Sequence, residues 1–208
     1  MATASKRSRL APEQRREQIL ERAQALLAER SYDELTTVDI ARAAGVTRAL
    51  VHHYFGGKRE IYLELANRLV ASTLELPPPN RKARLRKRVA AQTDEWLDWA
   101  ERNRVPWLAV TGQGEATVDD AIVAVAIGGR EMNVERMLRY NDDLLDDTPQ
   151  TRFALRSFVV LVQQATRDWL LGNADRNEVH TLLTELFIAI VRQVGPALDR
   201  QASAAPVT

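Results

Sequence analysis

The chain has 208 residues, 29 Lys and Arg against 28 Asp and Glu for a net charge of +1, and no cysteine. That length allows a sizeable core in one domain or two, and the missing cysteines exclude disulfides and thiolate metal sites, which fits a reducing cytoplasm. No segment approaches the roughly 20 apolar residues of a membrane span, and MATASKRSRLAPEQ has no apolar run behind its basic residues, so neither a membrane location nor a signal peptide is expected. The charge is uneven: residues 1–70 hold 12 basic against 9 acidic residues, and residues 71–208 hold 17 against 19.

In chain order, residues 1–11 are expected to be a disordered arm whose Lys6, Arg7 and Arg9 suit either a DNA groove or an untethered tail. From Pro12 a helix is predicted, with Ile19, Leu20, Ala23, Leu26 and Leu27 in one apolar stripe. Thr36 followed by Asp39 is a capping-box pattern that starts a second helix bearing Val38, Ile40, Ala41 and Ala44. Gly45-Val46 breaks it, because glycine accepts the positive φ of a helix end. Thr47 then caps a third helix whose Val51 and Phe55 point inward, leaving Arg48, Ala49, His52 and His53 outward. Such a face has little to pack against but can meet phosphates and base edges. Gly56-Gly57 turns the chain into a fourth helix from Lys58 through Ile61, Leu65 and Leu69.

The spacing Thr36, Ile40, Ala41, Ala44, Gly45, Val46, Thr47, followed by His53-Tyr54-Phe55 and Lys58, resembles the TetR family of bacterial transcriptional regulators, specifically from about Leu20 to Leu65. The resemblance implies an all-α fold: an N-terminal three-helix DNA-binding domain with a helix-turn-helix, here residues 12–72, and a C-terminal effector-binding and dimerisation domain, residues 73–199, with a tail at 200–208. On the outer face, Arg48 and His52, one turn apart, are expected at base edges, with Ala49 allowing close approach or touching a thymine methyl; Thr37, His53, Tyr54 and Lys58 are expected to hold phosphates, and Thr47 is a further DNA-binding candidate. His52 stands where the family often has tyrosine. A shorter, titratable ring leaves open a different base preference and pH dependence, or a neutral exchange.

Pro77-Pro78-Pro79 ends the fourth helix and marks the hinge. Residues 81–88, RKARLRKR, carry six basic residues in eight; they read as the solvated first turns of a helix with Leu85, Val89 and Trp96 inward, or as a second DNA contact. Trp96, Trp99 and Trp107 either fill core or wall a cavity, ahead of a loop at Gly112-Gln113-Gly114. A helix at 116–140 is interrupted by Gly128-Gly129, which calls for a close helix approach, a kink, or room for a ligand. The acidic loop 141–148 lacks an EF-hand's glycine and glutamate, so no calcium is expected. Two apolar helices, Thr151–Leu171 and Glu178–Val194, are expected to pair with their symmetry mates in a homodimer, and Gly195-Pro196 to stop the last one.

The function this supports is a homodimeric transcriptional repressor that binds palindromic double-stranded DNA and is released by a small-molecule effector. Trp99, Trp107, Met132, Asn133, Phe153, Gln163 and Trp169 are the candidate effector contacts, with Gln164 a further amide. No cofactor or metal is implied: His52 and His53 diverge on a helix, and no nucleophile elbow, P-loop or dinucleotide fingerprint is present. A ligand-independent activator or architectural DNA-binding protein is the alternative, and a small helical enzyme the remote one.

Overall fold

The computed structural model describes residues 11–111 and 120–204, and all regular structure within them is helical. The basic arm and the Gly112-Gln113-Gly114 loop lie outside those residues. Helix α1 (Pro12–Glu29) starts with Pro12 in its first turn, where a missing N–H costs nothing, and buries Ile19, Leu20, Ala23 and Leu27. α2 (Thr37–Ala44) and α3 (Arg48–Phe55) follow, then α4 (Lys58–Ser72), which tightens into one 3₁₀ turn over Thr73–Glu75 before the prolines. α5 (Leu85–Arg102), α6 (Arg104–Thr111), α7 (Asp120–Tyr140), α8 (Pro149–Leu171) and α9 (Arg176–Ala189) complete the bundle.

The chain does not stop at Gly195-Pro196. After α9 the helix widens into a π turn over Ile190–Val194 and continues as α10 (Gly195–Ala204). Pro196 has no N–H and its ring crowds the carbonyl four residues back. The Gly195 N–H donates to Ile190 O, five residues back, and the wider turn carries the chain past the proline. Residues 200–204, expected in a tail, are therefore helical. The joined helix Arg176–Ala204 is also long and apolar enough, at a mean hydropathy of 1.3, to cross a membrane by length and composition alone, which the sequence did not suggest. Val179, Leu183, Phe187, Ile188 and Ile190 along it are buried in the bundle.

Three clusters hold the molecule together. The first is built from α1 to α4, with Ile19, Ile40, Val51 and Ile61 fully buried, but it also takes in Ala109 of α6 and Ile122 of α7. A second joins α5, α7, α8 and α9 around Leu97, Val134 and Leu155. Between them Trp99 and Trp107 pack with Leu69, Leu108 and Leu170.

In the basic run at 81–88, Arg81, Lys82, Arg84, Arg86 and Lys87 are exposed, as on a wet helix face, and Arg88 is the exception. Arg88 lies on the same stripe as Leu85 and Val89 and is 3% exposed; its guanidinium donates to both carboxylate oxygens of Asp143, at 2.7 and 2.9 Å, and to Tyr140 O. Arg81 pairs with Asp142 at 2.7 Å and Arg86 with Glu185. The acidic loop after α7 thus receives part of the charge that opens α5, which ties two segments more than 50 residues apart.

A candidate DNA-reading face and a neighbouring cavity

The reading face follows from local capping. Thr36 Oγ1 accepts from Asp39 N–H at 3.2 Å while Asp39 accepts from Thr36 N–H at 3.1 Å, a complete capping box. These hydrogen bonds from Thr36 hold the Asp39 carboxyl below its ordinary pKa. Gly45 closes α2 at φ 64°, and Thr47 Oγ1 accepts from Leu50 N–H at 3.2 Å to open α3. With Val51 and Phe55 buried, Thr47, Arg48, Ala49, His52 and His53 are all exposed on one end of the head. Thr37 and Tyr54 are half-buried at its edge, the Tyr54 ring edge-on to His53 with centroids 5.3 Å apart.

His52 braces Arg48. Its Nδ1 lies 2.6 Å from Gly56 O and so carries the proton, which leaves Nε2 to accept from Arg48 Nε at 3.3 Å. The two terminal nitrogens of Arg48 stay available for a bidentate contact with guanine. Lys58 is less free than the sequence suggested. Its Nζ donates to Tyr32 O at 2.7 Å and sits 4.0 Å from the centre of the Tyr32 ring, so this lysine positions the loop before α2 while two donors remain for a phosphate.

Charged pairs set how α4 leaves the head. Arg16 makes a two-pronged contact with Glu64 at 2.8 and 2.5 Å beneath its stacking on Phe55, and Arg68 joins Glu17 and Glu64. The hydrogen bond from Arg16 keeps the Glu64 carboxyl below its usual range. Pairs this exposed contribute little stability but fix orientation.

α4 also forms one wall of a cavity of about 610 Å³. Tyr62, Ala66, Leu69 and Val70 of α4 and Thr73 of the turn after it line it together with α5, α6, α7 and α8, and Val123, Ile127 and Val160 are exposed members of the lining. Of the residues expected here, Trp107, Asn133 and Gln163 line it, as does Gln164. Phe153 does not: it is 61% exposed on the outer side of α8, whose buried stripe runs through Ala154, Leu155, Phe158 and Val162. Trp99 packs beside Trp96 and edge-on to Trp107 as core, and Trp169 packs against the same cluster. Met132 falls between the α7 positions that face the cavity. Sequence reasoning missed Tyr62, Arg88, Arg130, Arg136 and Arg167, all of which line it. Ile122, Gly129, Asn133, Arg136 and Tyr140 share one stripe of α7, and an arginine on such a stripe was the available signal.

Tyr62 gives a pH test of the α4–α6 junction. Its hydroxyl donates to Val110 O at 2.8 Å, and burial pushes the phenol from 10.0 up to about 12. The folded state therefore favours the neutral ring: this contribution is complete below pH 10 and is lost as pH rises toward 12. Between those values the wild type is expected to lose on the order of 2 kcal/mol relative to Tyr62→Phe, read from urea midpoints of both proteins.

An exposed, capped second helix of a helix-turn-helix, carried on a helix that walls a cavity, defines a DNA-binding regulator. Residues 19–65 match the family described as bacterial regulatory proteins, tetR family. Over 90 residues the chain is 32% identical to the HTH-type transcriptional regulator BetI of Agrobacterium fabrum, a match spanning 39% of this chain and 44% of that protein. Over 66 residues it is 41% identical to the HTH-type transcriptional regulator HbdR of Aromatoleum sp., spanning 31% of this chain and 29% of that one. The matched stretch is thus under half the length of either relative. The fold extends the likeness: a tetR-family transcriptional regulator from Streptomyces coelicolor superposes with a TM-score of 0.69 at 25% identity, over 95% of this chain and 92% of that one. TylP, a TetR regulator from Streptomyces fradiae, shares the fold at 0.63 and 17% identity, over 92% of each chain. In its helix-turn-helix segment and in its fold the chain is thus similar to the TetR family of bacterial transcriptional regulators, a DNA-binding family.

Proposed function

We propose that this protein is a cytoplasmic repressor that binds a roughly palindromic operator as a homodimer and lets go when a small molecule fills the cavity. The observation that carries this is the shared wall: α4 holds the recognition helix on one side and lines the cavity with four of its residues on the other. A ligand that prefers one setting of α4 by a few kcal/mol shifts the spacing of two recognition helices, and with it the fit to successive major grooves. The dimer is assigned to residues 151–194, because Val160, Leu171, Leu182 and Val194 are 40–46% exposed there and Phe153 more so, an apolar surplus that a second copy would cover. Arg48 is assigned to a base edge with His52 as its brace and Ala49 giving close approach; Thr37, Thr47, His53, Tyr54 and Lys58 are assigned to the phosphates.

The test is to pass fragmented genomic DNA from the source organism over the purified protein and sequence what stays bound at near-physiological salt. An inverted repeat common to the retained fragments is the expected result, and retention that is blind to sequence and disappears with salt would defeat the reading. On a retained fragment, Arg48→Ala is expected to weaken binding by about 10- to 100-fold and to relax preference at one position per half-site, measured by gel shift against single-base variants.

A further inference from the structure

The polar groups of the cavity are unevenly charged. Four guanidinium groups line it, from Arg88, Arg130, Arg136 and Arg167, against one carboxylate, Glu95. Arg88 is neutralised by Asp143. Among the described residues the other three have no carboxylate within ion-pair distance: Arg130 Nε donates to Gln163 Oε1 at 3.2 Å, and Arg136 donates to Thr73 O and to Asn133 Oδ1 at 2.9 Å. Arg136 therefore faces neutral acceptors only and uses two of its five N–H donors. Burial disfavours its charge enough to lower its pKa. A desolvated cation with donors to spare is costly unless an anion completes it.

The lining also has a direction. Toward one end of α7 lie Arg136, Tyr140 and Asn141, with Arg88 across from them; toward the other lie Ile122, Val123, Ala126 and Ile127, facing Trp107 and Val110 of α6. Ile122 and Arg136 are 14 residues apart on one helix, about 20 Å at 1.5 Å per residue. Glu95 sits two turns along α5 from Arg88, about 10 Å away along the helix. We propose that the effector is an amphipathic anion with a carboxylate-type head, its charge on Arg136 and its apolar body laid along α7 toward Trp107 and Ile122. This rests on the reading of the cavity as the effector site and adds the chemical class. It also gives the ligand a route to the head: the acceptor that Arg136 now holds, Thr73 O, opens the 3₁₀ turn that ends α4, so an anion competes with the end of α4 for the same guanidinium.

Full-length protein titrated with decanoate, decan-1-ol and decylammonium, each below its aggregation limit, tests this through tryptophan fluorescence, since Trp96 and Trp107 line the cavity. Decanoate is expected to bind about tenfold or more tightly than the alcohol, and the ammonium more weakly than either. Arg136→Met should erase the preference for decanoate and leave alcohol binding in place; Arg136→Lys should restore part of it, since it keeps the charge without the fork. Equal binding of acid and alcohol, equal loss of both in Arg136→Met, or no saturable decanoate binding would each overturn the proposal. Release of a retained DNA fragment separates the two levels. Release by the alcohol as readily as by decanoate sinks the anion assignment and spares the effector reading, whereas Arg136-dependent decanoate binding without release does the reverse.

Discussion

Asp143→Ala is expected to cost about 3 kcal/mol and to lower the melting temperature by roughly 6–12 °C, more than the loss of its partner Arg88. The asymmetry comes from burial. Arg88 is 2% exposed in its side chain and Asp143 40%, so removing the acid strands a guanidinium in the interior with Tyr140 O as its one acceptor, and its Nε is already without a partner. Removing the arginine frees a carboxylate that water can reach. Arg88→Met, which keeps the apolar stem, should cost about 1 kcal/mol. Acid gives an independent check. The Arg88 guanidinium holds the Asp143 carboxyl below its ordinary 3.8, so its contribution is present above that value and is lost as pH falls below it. A calorimetric pH series should show that loss in the wild type and its absence in Asp143→Ala. A larger effect from the buried partner would mean that the pair does not carry its charge as described.

Neighbouring glycines on α7 are expected to respond in opposite senses. A Cβ on Gly128 meets nothing within 4 Å, so Gly128→Ala should stabilise by about 1 kcal/mol through helix propensity alone. A Cβ on Gly129 would sit 2.9 Å from Val70 Cγ2 on α4. Valine is stiff at χ1 and cannot swing clear, so Gly129→Ala must push α7 from α4, an overpacking cost of about 1–3 kcal/mol against the same propensity gain. Val70→Ala in the Gly129→Ala background should recover most of the loss, and a double-mutant cycle would measure the coupling. Because α4 carries the recognition helix, Gly129→Ala should also move the affinity for a retained DNA fragment, while Gly128→Ala should not. Equal behaviour of the two would remove Gly129 from the helix contact.

What the sequence made legible follows how local each cause is. Thr36, Asp39, Gly45 and Thr47 act over three or four residues through caps and one positive φ, and the helix-turn-helix could be laid out residue by residue from them. The Gly128-Gly129 pair announced that something unusual happens on α7, but only Val70, some 59 positions away, distinguishes the two. Within the basic run at 81–88 one residue departs from the wet-face reading for the same reason: Arg88 looks like its exposed neighbours until Asp143 and Tyr140 fold against it. Phe153 was assigned to the cavity because α8 is apolar nearly all round, and hydrophobicity without a gap in the pattern does not say which face turns inward. The π turn was unreadable because Gly-Pro ordinarily ends a helix, and the five-residue bond from Gly195 to Ile190 depends on the packing around it.

The apolar centre of the N-terminal helices is not closed by those helices alone, since Ala109 and Ile122 complete it. A hybrid regulator made by grafting residues 12–72 onto another effector domain would therefore carry an unsealed seam along α1 and α4. Transplants that bring α6 and the start of α7 with the graft should express as ordered proteins, and those cut at the prolines should not. In lineages where such exchanges succeed, the exchangeable unit should extend well past Pro77-Pro78-Pro79, to about residue 125.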